Sequence, residues 1–561
     1  MDQEKFEIHD AGIPDRPFYD VSLEDGRDCL QGWRLYFTLT GYGLLNFLPL
    51  QMLTDHSLLI GLYLVNLEVT IVSTALISIT DDLDGFEKTS WVVTGFLTTY
   101  TDPRLAFMSQ WTKVSNIIGR KRTILAANIM FLAFSLGCGL AQNMNELIIC
   151  RTFQGVGGAG VYSLVILCVY EVAPKTKMPL YGAMVAVTIA LASLTGPVFG
   201  GLLAQNSAWR WTFYINLPPG ALAVLMLLIA LPPSFGTVTP QPLSSLLPSL
   251  TLFKKLDALG GFLLLSASLL LVTVLNETNI EFDWSSGTAI GLLALSSTLW
   301  VAFFAWEWYI SEYMQDVEPM FPKRFVYNKA WMGMLLTNFL CGCPWNVVIV
   351  YLAQRFQVLT KLSPLDAGIH ITPYSAVATV ATMLACLASR KFRIPVVYFA
   401  LLGSILHIVG MALLSIVPEN ESYPSEGYGY EAIAGAGAGI TIGILTLAVP
   451  YIVETRDLAT ATGSLNQARF LGGAVGLAIA SNILYGRLKG QLSDELSPEQ
   501  VNQVLQRAGD MGSLPQNVQQ AAIGVFAGSY KAQFQAMIAF AAAQIPASLL
   551  IFKRGRQYVA S

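Results

Sequence analysis

Two ionisable side chains lie inside apolar stretches of the sequence that carry almost no other charge. Glu68 lies in NLEVTIVSTALISI, and Arg151 lies in IICRTFQGVGGAG. A charged side chain in hydrocarbon costs about 2.5 to 3.5 kcal/mol on insertion scales, so each must face a water-filled cavity or a partner. Burial disfavours the charged form of a carboxyl group, which is what a proton carrier needs. The pair predicts proton uptake by Glu68, a structural Glu68 to Arg151 ion pair, or both; Arg151 alone has the further alternative of reaching the membrane interface.

Other catalytic and metal-binding patterns are absent from the sequence. It contains no G-x-x-x-x-G-K-[ST] loop, no HExxH motif and only four histidines. The seven cysteines include a CxC pair at Cys341 and Cys343 but no CxxC pair, and this favours helix packing over a metal site or a disulfide framework. We therefore expect no enzyme activity, no cofactor and no bound metal.

Long apolar segments must position Glu68 and Arg151. Hydrophobic residues make up 54% of the 561 residues and charged residues only 12%, which is too little polar surface for a water-soluble protein of this size. A bilayer core needs about 20 apolar residues per spanning helix, and continuous apolar runs exclude a transmembrane barrel. The hydropathy predicts fourteen spans: 58–80, 90–111, 123–141, 147–170, 180–204, 211–231, 257–276, 286–306, 330–354, 369–388, 395–417, 429–453, 458–486 and 530–552.

The loops between these spans indicate their orientation. With a cytoplasmic N-terminus, most lysines and arginines fall in the inside loops, as the positive-inside rule requires. The glycosylation sequons at Asn276 and Asn420 then both lie outside. We predict a multi-pass protein of the plasma membrane, with the vacuolar membrane as the alternative.

The spans divide the chain into five parts. We predict a cytoplasmic tail over residues 1–57, a six-helix bundle over 58–231, a linker with two extra helices over 232–329, a second six-helix bundle over 330–552 with an outer loop at about 488–529, and a tail over 553–561. The apolar stretch from Trp33 to Leu53 is interpreted as a surface or re-entrant segment or an insertion, because a fifteenth span would invert every later loop. This stretch and residues 102–105, which place Asp102 and Arg104 inside the second span, are either functional polarity or an imperfect gene model, and we favour the gene model.

A basic turn after the second span resembles the cytoplasmic signature of the major facilitator superfamily. It reads WTKVSNIIGRKRTIL from Trp111 to Leu125. Gly119 permits a close reversal, while Arg120 and Lys121 suit helix ends and acidic lipid head groups. The resemblance implies a cytoplasmic gate at Asn116, Gly119, Arg120 and Lys121. Asn116 replaces the aspartate of the family pattern, which removes one member of a charge pair.

Further motifs in order along the chain resemble the 14-spanner drug:proton antiporters of that superfamily. Helix 4 carries Arg151 and Gln154, helix 5 carries ALASLTGPVFGGLL, and WRWTFYINLPPG and NQARFLGGAVGLAI follow. Glycines let a neighbouring helix approach closely, and proline kinks a span. The resemblance to the antiporter pattern implies an occluding hinge, and its residues are Gly196, Pro197, Gly200 and Gly201. Antiporters of this group usually carry an aspartate where this chain has Glu68.

The resemblance implies an all-α major facilitator fold of two six-helix bundles plus two linker helices, with a central cavity. We expect a monomeric, proton-coupled exporter of amphipathic drugs, mycotoxins or other secondary metabolites, with Glu68 and Arg151 coupling protons and no nucleic-acid partner. The predicted substrate cavity contains Gln154, Asn216, Trp345, Tyr374 and Arg469. A proton-coupled importer of a siderophore or nutrient and a transporter-like receptor remain alternatives.

Overall fold

The computed structural model places a helix at each predicted span. It describes residues 50–103, 111, 114–115, 119–172, 178–205, 208–231, 257–314, 317, 319, 321–392, 394–418, 423–454, 457–495, 497, 500–501 and 516–552. This part of the chain contains helices and no strand. A helix satisfies its own backbone hydrogen bonds, which is the condition for crossing hydrocarbon.

The helices of the first half and of the linker follow one another through short connections. Their bounds are α1 Leu50–Asp82, α2 Thr89–Pro103, α3 Arg120–Leu140, α4 Met144–Val172, α5 Met178–Ala204, α6 Trp211–Tyr214, α7 Leu217–Ala230, α8 Ala258–Glu277 and α9 Gly287–Tyr313. Asp257 caps α8 and Ser286 caps α9, each accepting a backbone N–H three residues on. The linker helices thus begin at signals readable in the sequence.

The second half has the same plan. Its helices are α10 Lys323–Tyr327, α11 Lys329–Val347, α12 Ala353–Val358, α13 Pro364–His370, α14 Thr372–Phe392, α15 Val396–Ser415, α16 Ser425–Ile452, α17 Leu458–Glu495 and α18 Gln516–Leu549. A π-helical turn, Val348–Leu352, joins α11 to α12 within one span. Ser363 caps α13, where Pro364 occupies the first helical position and suits it because its missing N–H is not needed there.

Twelve helices in the described residues are long and apolar enough to cross a membrane, so the predicted number of fourteen is not confirmed. The twelve are His56–Asp82, Arg120–Leu140, Met144–Val169, Val187–Ala204, Trp211–Ala230, Leu259–Glu277, Gly287–Tyr313, Lys329–Val358, Pro364–Ser389, Val396–Ser415, Ser425–Ile452 and Thr460–Leu492. The other two predicted spans contain α2 and α18. The described part of α2 has 15 residues, and α18 carries Lys531, Gln533 and Gln544 along its length.

The outer loop predicted at 488–529 is partly wrong, because helices occupy both of its ends. α17 continues to Glu495 and α18 begins at Gln516. Apolar residues four apart are buried along both extensions, and these are Leu484, Leu488 and Leu492, then Val518, Ala522 and Phe526. This helical spacing buries one stripe among polar neighbours, so average hydropathy hides it. The proline-free run from Val501 to Arg507 predicts a short amphipathic helix on the membrane face, and it lies almost wholly outside the described residues.

The N-terminal boundary also differs from the prediction. α1 begins at Leu50, so the last residues of the predicted 1–57 tail are helical, and Ser57 is buried. The apolar stretch from Trp33 otherwise lies outside the described residues, as does residue 104. Asp102 and Pro103 are the last described residues of α2, and proline has no N–H to donate to the helical hydrogen-bond pattern.

Helix contacts define two groups and a pair. α1, α3, α4, α5 and α7 pack with one another and with α2, whereas α11 and α14 to α18 form the second group. α8 packs against α9 and also contacts both α2 and α17, which belong to different groups. Val301 of α9 is 69% exposed, as expected of a lipid-facing helix. The fold is therefore the predicted all-α membrane architecture.

The two ends of this assembly can be named from the first group. We call the end at which α1 stops the Asp82 end, and the end at which α3 starts the Arg120 end. On the orientation predicted from the loop charges, the Asp82 end faces outward.

Candidate functional site: a buried ion pair and a seal between bundles

A buried polar cluster fills the centre of the first bundle, and we call it the Glu68 cluster. Its members are Glu68, Ser135, Arg151, Gln154 and Asn216, all at most 1% exposed. Nη1 of Arg151 contacts Oε1 of Glu68, and Nδ2 of Asn216 donates to Oε2. Arg151 also donates to Oε1 of Gln154 at 2.9 Å. Both oxygens of the Glu68 carboxylate therefore have donors.

Four helices, α1, α3, α4 and α7, supply these groups, and local sequence explains the positions of those on α4 and at the start of α7. Arg151 and Gln154 are three residues apart on α4, so they lie on one face of the helix. Asn216 precedes α7, whose start is fixed by prolines in its first turn. The Asn216 side chain makes no capping bond, so its amide is available to Glu68 and to Ser135 Oγ at 3.0 Å.

Arg151 does not reach the membrane interface. Its Nε donates to the Val92 carbonyl at 3.1 Å, and its guanidinium carbon lies 4.3 Å from the centre of the Phe96 ring. The guanidinium is thus held by a carboxylate, an amide, a carbonyl and an aromatic face. The interface alternative considered for this residue is wrong, because burial among such partners lets a cation remain inside the bundle.

The glycines of α5 allow close approach on two different sides. A methyl group at Gly196 would overlap the Thr70 hydroxyl, and one at Gly200 would overlap the Ile71 carbonyl, both in α1. A methyl group at Gly201 would instead overlap the Pro364 carbonyl at the start of α13. Gly196 and Gly200 therefore pack inside the first bundle, while Gly201 contacts the second.

Pro197 lies where three elements meet. Its carbonyl accepts a hydrogen bond from Thr74 Oγ1 of α1 at 2.9 Å, and it faces Gly368 of α13 so closely that no side chain fits there. Gln357 of α12 donates to the Thr74 carbonyl at 3.0 Å. We call these contacts between α1, α5, α12 and α13 the glycine seal.

A second contact between bundles lies at the same end. Phe86, in the turn between α1 and α2, is buried with its ring 6.0 Å from the rings of both Tyr485 and Phe526. The Tyr485 hydroxyl also donates to the Phe86 carbonyl. These aromatic contacts join the first bundle to α17 and α18.

The residues predicted to line a substrate cavity fall into two places. Gln154 and Asn216 belong to the Glu68 cluster within the first bundle. In the second bundle the Trp345 and Tyr374 rings lie 5.0 Å apart, with Tyr374 fully buried. Arg469 is half-buried with its guanidinium 4.5 Å from the Phe470 ring, and its carbonyl lies against Gly342. The contacts do not unite the five in one site.

The predicted gate residues lie at the Arg120 end. Gly119 has φ 101°, a left-handed conformation that favours glycine. Arg120 forms an ion pair with Glu171 at 2.9 Å, and Lys121 donates to the Leu228 and Leu231 carbonyls at the end of α7. Asn116 lies outside the described residues.

Of the two predicted glycosylation sequons, the one at Asn276 lies within the described residues. The Asn276 amide nitrogen is buried in α8, 3.4 Å from Thr94 Oγ1, so the folded chain does not present it for glycosylation. The helix continues through Asn276 to Glu277, and Thr278 caps its end. Asn420 lies outside the described residues.

Two acidic residues, Glu171 and Glu431, were not predicted as site residues from the sequence. Glu171 pairs with Arg120 across 51 residues, and Glu431 is fully buried in α16 near Tyr423 and Arg355. A signal was present, because Glu431 and Arg355 interrupt apolar runs as Glu68 does. Their partners come from distant parts of the chain, which a hydropathy profile does not connect.

Comparison with known proteins gives one family. The sequence model of the Major Facilitator Superfamily matches residues 58–321. MFS-type transporter FPY5 of Fusarium mangiferae is 36% identical over 498 residues, covering 89% of this chain and 83% of that protein. Efflux pump roqT of Penicillium rubens is 28% identical over 434 residues, 76% of each chain. Efflux pump DEP3 of Fusarium langsethiae is 29% identical over 424 residues, 75% of this chain and 74% of its own.

Solved structures agree on the fold. A bacterial homolog of the human lysosomal transporter Spinster, in an inward-facing and unoccupied conformation, superposes with a TM-score of 0.59 at 15% identity, covering 89% of this chain and 98% of its own. A D-xylose-proton symporter gives a TM-score of 0.54 at 13% identity, covering 89% and 96%. At such identities the likeness concerns the fold alone.

Proposed function

This chain belongs to the major facilitator superfamily, and we propose that it is a proton-coupled exporter of amphipathic small molecules that works by alternating access. Its membership indicates a transporter rather than an enzyme. The direction of transport, the coupling ion and the substrate class are part of the proposal.

The main observation that supports the proposal is the glycine seal. Alternating access requires two bundles that touch closely at one end and can separate there. Contacts of carbonyl groups with Gly201 and Gly368 bring the bundles together through backbone, without long side chains that would have to disentangle. Helix α5, with Pro197 inside it and glycines along it, is thus suited to act as the occluding hinge, with the Gly119 to Lys121 turn belonging to the gate at the opposite end.

Export is favoured over import by the relatives. Two of them are named efflux pumps, and each aligns with about three quarters of this chain. For the substrate we propose drugs, mycotoxins or other secondary metabolites, contacted in the second bundle by Trp345, Tyr374 and Arg469. Aromatic rings and one cation suit a molecule that is largely apolar with a polar edge. We propose a monomer in the plasma membrane.

Proton coupling is assigned to the Glu68 cluster. A proton on Glu68 neutralises the carboxylate that Arg151 binds, so protonation and the ion pair exclude each other. Each proton moving down a potential supplies about 2.3 kcal/mol per 100 mV, which supports roughly fifty-fold accumulation. The cluster thus offers a way to couple proton entry to a change in helix packing.

The test is transport in proteoliposomes with an imposed pH gradient. Purified protein is reconstituted, and accumulation of rhodamine 6G and a panel of polyketides is followed with and without the gradient. We expect accumulation on the side that loses protons, abolished by a protonophore. Uptake that follows the protons instead would favour the siderophore or nutrient importer, and binding without transport would favour a receptor.

A further inference from the structure

A second buried carboxyl group lies near the Asp82 end of the second bundle. Glu431, in the second turn of α16, is fully buried. Its Oε1 accepts a hydrogen bond from the Tyr423 hydroxyl at 2.8 Å. Its Oε2 is buried and has no hydrogen-bond partner among the described residues. A buried polar atom without a hydrogen-bond partner is costly, and Oε2 of Glu431 is such an atom.

The ionisable groups around Glu431 come from several elements: Arg355 of α12, Tyr423 before α16, Tyr428 on α16 itself, and Tyr374 of α14. Arg355 acts on Glu431 through charge at longer range, because the described residues show no ion pair between the two; its Nη2 donates to the Pro418 carbonyl at 2.7 Å. Burial, together with the nearby Glu431, raises the pKa of Tyr423, so that hydroxyl is a neutral donor. His370 of α13 joins the group through the Tyr428 ring, 5.7 Å away.

Glu431 and Glu68 differ in a way that decides which one favours a proton in this conformation. Glu68 has a guanidinium in direct contact and an amide on its other oxygen, and such partners stabilise the charged form. Glu431 has one neutral donor and one bare oxygen. Burial without a directly bonded cation favours the neutral carboxylic acid, and Oε2 is the atom left to hold the proton.

The residues around Glu431 pack against α12 and α13, the two helices of the second bundle that take part in the glycine seal. The Phe356 ring of α12 lies 4.7 Å from the Tyr423 ring and 5.5 Å from the His370 ring of α13. The opposite side of α13 meets α5 through Pro364 and Gly368. A movement of Tyr423 would therefore change the packing of α12 and α13, and with it the contacts of the glycine seal.

We propose that Glu431 is a second proton-binding carboxyl group and that its protonation keeps α13 docked on α5. A proton from water at the Asp82 end binds Oε2 and leaves a neutral acid, which the buried site tolerates. Loss of that proton leaves a buried charge that draws in water. The carboxylate moves toward that water together with the Tyr423 side chain bound to it, and this movement of Tyr423 away from Phe356 releases α13. The inference rests on the proposed proton coupling, because it names where a further proton acts in the same transport cycle.

The test measures the seal without any substrate. Spin labels are attached at the exposed residues Gln205, at the end of α5, and Ile369, on α13, through Gln205→Cys and Ile369→Cys in a chain whose native cysteines are changed to alanine. Double electron–electron resonance in nanodiscs then gives the distance between the labels from pH 5 to pH 9. We expect the distance to grow as pH rises, and Glu431→Gln to hold the short distance throughout.

Matched variants separate the possible outcomes. Glu426→Gln changes an exposed carboxyl group on the same helix and should respond like the unmodified chain. A Glu431→Gln protein that keeps the full pH response, a chain with no response, or a response lost only in Glu68→Gln would each overturn the proposal.

A milder variant covers the case in which Glu431→Gln does not fold. Tyr423→Phe removes the donor that stabilises the carboxylate, so the midpoint should move to higher pH by about one pH unit. An unchanged midpoint would count against the proposal. The rhodamine 6G assay reports separately on the proposed function, since gradient-driven transport and the pH response of the seal can each fail without the other.

Discussion

At the scale of single residues, Glu68 has two interpretations, a proton carrier and a purely structural partner of Arg151, and experiments can distinguish them. Breaking a buried ion pair by removing one partner costs about 3 to 5 kcal/mol, whatever the pair does in transport. A loss of stability alone therefore does not identify a proton carrier. Transport and stability have to be measured on the same protein.

We expect Glu68→Gln to lower the thermal stability of the protein and to abolish gradient-driven accumulation of rhodamine 6G. Glutamine keeps the shape of the side chain and an acceptor for Arg151, but it cannot exchange a proton. Accumulation in proteoliposomes and the melting temperature in detergent are the measurements. Glu426→Gln is the control, and accumulation that survives in folded Glu68→Gln would leave Glu68 a purely structural partner.

The double variant Glu68→Gln with Arg151→Gln should recover much of the stability that the single variant loses. Removing both charges avoids an unpaired buried guanidinium, and pairs in direct contact are strongly non-additive. The melting temperatures of the unmodified protein, the two single variants and the double variant give the coupling between Glu68 and Arg151. Additive losses would mean that Arg151 is stabilised mainly by Val92 and Phe96 rather than by Glu68.

The sequence predicts the pair of Glu68 and Arg151 but not all of the residues around it. A lone carboxylate and a lone guanidinium in apolar runs must find partners, so Glu68 and Arg151 could be matched from the cost of burial alone. Asn216 is predicted as a cavity residue, and the structure shows that it contacts Glu68, a contact the sequence does not indicate because it does not say which way a helix is turned. Glu431 was missed for a similar reason, since its donor Tyr423 lies across a loop.

At the scale of elements, α5 packs its glycines on two sides. Gly196 and Gly200 fit α1, and Gly201 fits α13. Substitutions at the first two positions should damage the bundle itself, whereas a substitution at Gly201 should act on the seal.

We expect Gly201→Val to abolish transport while the protein remains folded, because the added methyl groups would displace Pro364 and keep α13 from docking. The distance between labels at Gln205 and Ile369 should be long at every pH. Gly291→Val, on α9, is the control, since nothing lies within 4 Å of a Cβ there. A normal distance in Gly201→Val would show that the seal does not depend on this contact.

The helices themselves were predictable wherever one property dominates. Spans of uniform apolarity, such as α15, differ from their predicted bounds by one or two residues. The errors fall where helices leave the apolar region, as in α17 and α18. There Leu488 and Phe526 are buried in a single stripe, and a profile averaged over all faces reads the segment as polar.

At the scale of the molecule, Phe86 joins the two bundles at the Asp82 end. We expect Phe86→Ala to favour the state in which this end is open, because truncating a buried phenylalanine costs about 3 to 5 kcal/mol and only the closed state loses the contact. Labelling of Ile77→Cys by a membrane-impermeant maleimide should be faster by about tenfold or more. Phe304→Ala, on the exposed face of α9, is the control. Equal rates would mean that the glycine seal alone holds the end closed.

The linker helix α8 gives the molecule two unlike flanks. It contacts α2 and α17, and its end is tied to both bundles: Trp91 donates to Glu277 at 2.5 Å, and Asn482 donates to the Thr278 carbonyl at 2.6 Å. A relative motion of the two bundles therefore has to carry α8 with it or break these bonds. Among the described helices, α5 and α14 contact each other directly without a linker helix between them, so a third helix ties the bundles together on one flank and not on the other.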